Sequence, residues 1–256
     1  MSALGALASA LVVAAMLSAS AARACSEQQV KADLRVLTAT LDERARGALA
    51  RMGGLGRRLL ATRSYLRAGE ELESRWSWTP AQFDAYQRSQ EYTDLRGEIA
   101  KVSERFEALN PGYTLHVNLE PRSVDLQLAL WNANRSVTRA ATQLRKAALR
   151  ERCGRGASSD PSGHARLRQF LIDWRPPVLP TLAAPGLSRH GQLRAFDFQV
   201  EQDGRIVAGP DSTSIATVWT AQGWTARLRA AVRSASQALE GPLEHPDEPW
   251  HYVYEP

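Results

Sequence analysis

The apolar positions keep a helical spacing through the first third of the chain and then change period. Val30, Leu34, Leu37, Leu41, Ala45, Ala48 and Met52 stand three and four apart, the repeat of one helix face. Gly53, Gly54 and Gly56 interrupt that stripe, and a shorter helical piece follows through Leu59, Leu60 and Leu66. Thr79 signals a new helix start, with Pro80 in the first turn and Gln82 completing a capping box. Trp78 and Phe83 are placed to form a hydrophobic staple across it. A second stripe, Tyr92, Leu95, Ile99, Val102, Phe106 and Leu109, stops at Asn110-Pro111-Gly112. The two stripes predict an antiparallel helical hairpin packed on itself.

Beyond Gly112 the pattern alternates. Tyr113, Leu115, Val117 and Leu119 read as a strand, followed by Glu120-Pro121-Arg122-Ser123 and a helical stretch to about Arg150. Residues 154–163 form a polar Gly/Ser-rich loop, and Leu167, Phe170 and Leu171 mark a short amphipathic piece. Pro176, Pro177, Pro180 and Pro185 predict an extended connector up to Gly186. Ala195 to Phe198 with Val200 reads as a strand, Asp203-Gly204 as a hairpin turn, and Ile206 to Ala208 as the return strand. Trp224, Leu228, Val232, Ala235 and Leu239 mark a last helix, and Trp250 to Tyr254 alternates as a closing strand. No internal repeat is visible. The expected fold is α+β: an N-terminal helical hairpin, then a small, mostly antiparallel sheet with packed helices.

The N-terminus changes the picture of where the chain works. Leu4 to Leu17 is an apolar run followed by Ala22-Arg23-Ala24, the layout of a signal peptide with an A-x-A cleavage site. The run is too short for a convincing membrane span, so no transmembrane span is expected in the mature chain. Cleavage after Ala24 leaves 256 − 24 = 232 residues and lowers the formal net charge from +5 to +4. The expected organisation is a signal peptide over 1–24, the helical hairpin over 25–110, and a second domain over 111–256. Export places the protein in the periplasm or cell envelope. There the two cysteines, Cys25 and Cys153, are candidates for one disulfide. Cys25 would also be the first mature residue, the place for a lipid anchor, which would leave Cys153 free. No basic run is interleaved with aromatics, which argues against nucleic acid as a partner.

Two short stretches carry the candidate chemistry: Ser188-Arg189-His190 running on to Asp197, and Glu248-Pro249-Trp250-His251. They supply two imidazoles and two carboxylates, a donor set that suits Zn²⁺ with one acid left over as a base. The seven-residue gap from His190 to Asp197 excludes a helical i, i+4 pair. A loop histidine and a strand carboxylate can still converge.

The pattern S-x-H-x-x-G-x-A-x-D followed by E-x-W-H resembles that of the zinc D-alanyl-D-alanine peptidases. These are carboxypeptidases and dipeptidases of bacterial cell-wall metabolism that share a fold with the Hedgehog signalling domain. Ser188, His190, Ala195 and Asp197 match the first part, and Glu248, Trp250 and His251 the second. The resemblance implies that His190, Asp197 and His251 bind zinc and that Glu248 is the catalytic acid/base. Arg122, followed by Ser123 and later Gln127, matches the family's oxyanion-stabilising arginine. Ser188 and Trp250 are implied at the substrate, Trp250 as a wall of the site. The pattern's glycine is Leu193 here, so the loop cannot use a glycine-only backbone at that point. The implied activity is metal-assisted hydrolysis of peptidoglycan stem peptides, as a D,D-carboxypeptidase or related endopeptidase. The rival reading is a non-catalytic envelope protein that uses the same fold for binding. Retention of Glu248 argues against it, because a pure binder has no use for a base beside the metal.

Overall fold

The computed structural model describes residues 27–153 and 163–255. In chain order the helices are α1 (27–39), α2 (Glu43–Ala50), α3 (Gly54–Ala68), α4 (Pro80–Tyr86), α5 (Gln90–Leu109), α6 (Val124–Ala133), α7 (Arg135–Cys153), α8 (Gly163–Asp173) and α9 (Trp224–Ala235). The strands are β1 (Thr114–His116), β2 (Ala195–Asp197), β3 (Gln199–Gln202), β4 (Arg205–Ala208), β5 (Leu239–Glu240) and β6 (His251–Tyr254). A π-helical turn covers Ile215–Thr220. The chain divides into two compact units. One takes Met1–Glu70 with Leu128–Ala184, and the other Glu71–Gln127 with Pro185–Pro256.

The first unit is helical among its described residues. The expected single stripe from Val30 to Met52 is two helices, because Asp42 caps α2 by accepting a 2.8 Å hydrogen bond from the Ala45 N–H. Gly56, expected to interrupt a helix, lies inside α3 instead. A Cβ there would stand 2.5 Å from the Ala141 carbonyl oxygen on α7, so the glycine is a point of close helix approach. α3 packs on α7 and α8. The signal-peptide reading and Cys25 lie outside the described residues, as does the Cys153 side chain and with it the expected disulfide. No described helix is long and apolar enough to cross a membrane.

The second unit is α+β. Its strands form two three-stranded antiparallel sheets, ordered β1-β3-β4 and β2-β6-β5, where one sheet was expected. The reason is at Phe198, which is fully buried. The segment expected to be one strand changes partners there: β2 pairs with β6, and β3 pairs with β1 and β4. The predicted capping box at Thr79 and Gln82 is present. The hairpin reading is corrected: α5 packs on α9, and Leu95, Val102 and Phe106 are buried in the same core as Phe196, Phe198 and Tyr252. Leu239, expected on the last helix, is on β5 opposite Tyr254, because α9 ends at Ala235.

Candidate metal centre

Register alone brings two of the expected groups together. In the β2–β6 ladder Asp197 stands directly opposite His251, and Phe196 directly opposite Tyr252. Side chains alternate along a strand, so the first pair shares one face and the second pair the other. The second face is the core: Phe196 and Tyr252 are 1% and 0% exposed. Asp197 and His251 are thereby turned away from it as a pair.

His190 reaches this face from a one-turn 3-10 helix, Arg189–Gln192. That turn is pinned by hydrogen bonds. Gly191 O accepts from the Trp78 N–H (2.9 Å), His190 O accepts from the Arg122 N–H (3.0 Å), and the Gln192 side chain donates to the Ser74 and Trp76 carbonyls. Beneath it lies a polar network that sequence reasoning missed. Gln127 Nε2 donates to Ser77 Oγ (2.8 Å) and to Arg122 O (2.6 Å), and Gln127 Oε1 accepts from the Gly186 N–H (2.9 Å). Both side chains are buried. A Cβ at Gly191 would lie 2.0 Å from Ser77 Oγ, so only glycine lets the turn seat on this network. Contacts spanning 50 residues or more leave no periodic trace. Gln127 in the Arg122 motif and the glycine beside His190 were the available signals.

Leu193 ends the turn at φ 50°, ψ 34°, the left-handed well. This well favours glycine but is open to an L-residue, so the loop makes a left-handed turn without needing a glycine-only backbone. That conformation costs roughly 1–2 kcal/mol for an L-residue. Leu193 is 1% exposed, and burying its side chain contributes about 1.5–3 kcal/mol, so packing outweighs the strain.

The polar atoms then converge. His190 Nε2 is 3.2 Å from His251 Nδ1, His251 Nδ1 is 3.2 Å from Asp197 Oδ1, and His190 Nε2 is 3.6 Å from Asp197 Oδ1. Ligands on a tetrahedral zinc with bonds of roughly 2.0–2.2 Å stand about 3.3–3.6 Å apart. The triangle therefore fits one such ion. Two imidazole nitrogens and a carboxylate oxygen are also a donor set that zinc accepts. His190, Asp197 and His251 are close enough to hold a metal ion. Arg122 Nη2 donates to Asp197 Oδ2 (2.9 Å), which orients the carboxylate with Oδ1 toward the imidazoles.

No family model, curated protein or solved structure matches the chain.

Charge within the site follows from burial. It pushes the His190 imidazole down to about 3, against the pull of Asp197, so the ring is neutral and its lone pair is free at neutral pH. Burial raises Asp197, but the hydrogen bond from His251 and the nearby His190, His251 and Arg122 outweigh it and hold the carboxyl below its usual range. Glu248 is raised, first by burial and further by the Asp197 charge, against the lowering effect of His251. Its Oε2 stands 3.6 Å from His251 Nδ1. Backbone bonds hold it there: the Glu248 N–H donates to Leu243 O, and the His251 N–H donates to Glu248 O.

The remaining expected residues fall differently. Trp250 is 4% exposed and packs on Trp219 at 5.7 Å between ring centroids, so it supports the core beneath the His251 strand instead of walling a cleft. Ser188 precedes the His190 turn and accepts from the Gly191 N–H through its carbonyl; its side chain makes no capping bond.

Proposed function

We propose that the chain is an exported zinc-dependent peptidase that cuts peptidoglycan stem peptides at a bond next to a D-amino acid. The observation that supports it most is the triangle of His190 Nε2, His251 Nδ1 and Asp197 Oδ1 with the Glu248 carboxylate beside it. The substrate class rests on the likeness of the two motifs to the zinc D-alanyl-D-alanine peptidases.

On this reading His190, Asp197 and His251 hold the ion. A zinc ion there supplies Lewis-acid activation of water and of the scissile carbonyl. Glu248 Oε2 accepts the proton that the attacking water releases and returns it to the leaving amine nitrogen. Its raised pKa brings it nearer the neutral range where a carboxyl can both take and give a proton. Arg122 uses one N–H on Asp197, and its remaining donors are available to the negative charge that grows on the carbonyl oxygen. The Ser77–Gln127 network keeps His190 in place while this happens.

Purified protein assayed for zinc and incubated with muropeptides, with and without chelator, tests the proposal. Stoichiometric zinc and chelator-sensitive loss of D-alanine or cut cross-links are expected. Glu248→Ala should keep the zinc and lower turnover by about 10²–10⁴-fold. Zinc without cleavage of any muropeptide would leave a binding protein. Zinc lost with Glu248→Ala would overturn the division between ligand and base.

A further inference from the structure

A groove of about 430 Å³ in the second unit is lined by Thr225, Arg229 and Arg233 on α9 together with Ile215, Trp219 and Asp247. Thr225, Arg229 and Arg233 are four residues apart, so α9 presents them on one face. Thr225 Oγ1 and Arg229 Nε are buried and have no hydrogen-bond partner. Among the described residues neither arginine pairs with a carboxylate. Buried polar atoms in native proteins are almost always satisfied, so a cluster left open marks a place for a ligand. A guanidinium can only donate and the Thr225 hydroxyl can donate beside it, so the missing partner is an acceptor with negative charge.

We propose that this groove binds the carboxylate of a small molecule or peptide, held by Arg229 and Arg233 with Thr225 as a further donor. Two arginines favour a planar, forked anion. Asp247 in the same lining disfavours a second negative charge, which selects a monoanion over a phosphate dianion. Ile215 gives an apolar wall for the rest of the ligand, with Trp219 buried beneath it. Asp247 precedes Glu248 in the chain, so a ligand here sits against the segment that carries the proposed base. The inference does not depend on the peptidase reading, since it needs neither metal nor turnover.

The test is an NMR titration of the ¹⁵N-labelled full chain with N-acetylglycine. It follows the Trp219 indole N–H, which donates to the Gly209 carbonyl beside the groove. A His251→Ala background with chelator present removes binding at the metal centre. A saturable shift is expected, with the neutral N-acetylglycinamide giving none and inorganic phosphate at matched ionic strength binding more weakly. The Arg229→Gln, Arg233→Gln double variant should weaken the affinity at least tenfold. Arg229→Lys, which keeps the charge and loses the fork, should fall between. No saturable shift, an equal response to the amide, or unchanged affinity in the double variant would overturn the site. Tighter binding of phosphate would overturn the carboxylate assignment.

Discussion

The helical unit and the sheet-bearing unit carry opposite charge. The first has 20 lysines and arginines against 8 carboxylates, net +12; the second has 12 against 19, net −7. The chain's formal +5 is thus the remainder of two opposed fields and describes neither. On α7, Arg135, Arg139, Lys146 and Arg150 are exposed and make no ion pair among the described residues, while Val137, Ala140, Ala141, Leu144 and Ala148 are buried on its other side. In the acidic unit several cations are committed to carboxylates: Arg122 to Asp197, and Arg194 to Glu91 at 2.6 Å. A net negative unit raises the local concentration of divalent cations. Arg229 and Arg233 pair with no carboxylate among the described residues, and what sets them apart from other such cations of this unit is the groove they line together.

The largest expected effect would break the comparison outright if it failed. His251→Ala should reduce bound zinc from stoichiometric to background by elemental analysis, whereas no substitution on α7 should change zinc content. Next comes pH. Below its ordinary 6.5 the unfolded chain protonates His190, while the folded chain keeps it neutral down to about 3. The unfolded state then binds more protons, so stability falls as pH drops through that window, by roughly 3–5 kcal/mol in the metal-free protein. Urea melts of chelated protein between pH 7.5 and 4 read this slope, and His190→Gln should flatten it. A slope unchanged by His190→Gln would assign it elsewhere; the described histidine of the helical unit, His164, is exposed.

Smaller effects sharpen the contrast between buried and exposed polar groups. Gln127→Ala leaves Ser77 and the Gly186 N–H without their buried partner, which should cost about 1–3 kcal/mol in denaturant unfolding. Its loss should also loosen the His190 turn and weaken zinc about 10–100-fold by competition with a chelating dye, as outer-shell losses do. At the other extreme, replacing Arg135, Arg139, Lys146 and Arg150 singly with Gln should move stability by no more than about 0.5 kcal/mol each.

Local signals were readable in the sequence and long-range pairings were not. Thr79-Pro80 with Gln82 specified a capping box because all its parts lie within four residues. The α5 stripe was visible, but its partner is α9, more than a hundred residues on, and periodicity says only that a face is apolar, never what covers it. The split of one expected strand into β2 and β3 also escaped. Phe198 alternates correctly for either sheet, and the change of partner depends on Trp250, whose carbonyl accepts the Phe198 N–H. His190, Asp197, His251 and Glu248 were legible because their residue types and order are themselves the signal. Arg122 was placed by motif, yet its bond to Asp197 could be seen only once the ladder set the carboxylate's direction.

A leucine held in a backbone well that glycine visits freely makes the His190 turn behave as a latch instead of a hinge. Glycine would let the unfolded chain sample many more conformations before closing the turn, and the closed turn would be held by little besides its hydrogen bonds. With Leu193 driven into the core, the core's grip on that side chain adds to the hydrogen bonds that pin the turn. Repacking around Leu193, which supplies no donor atom itself, should therefore alter how readily the imidazole swings away from its partners.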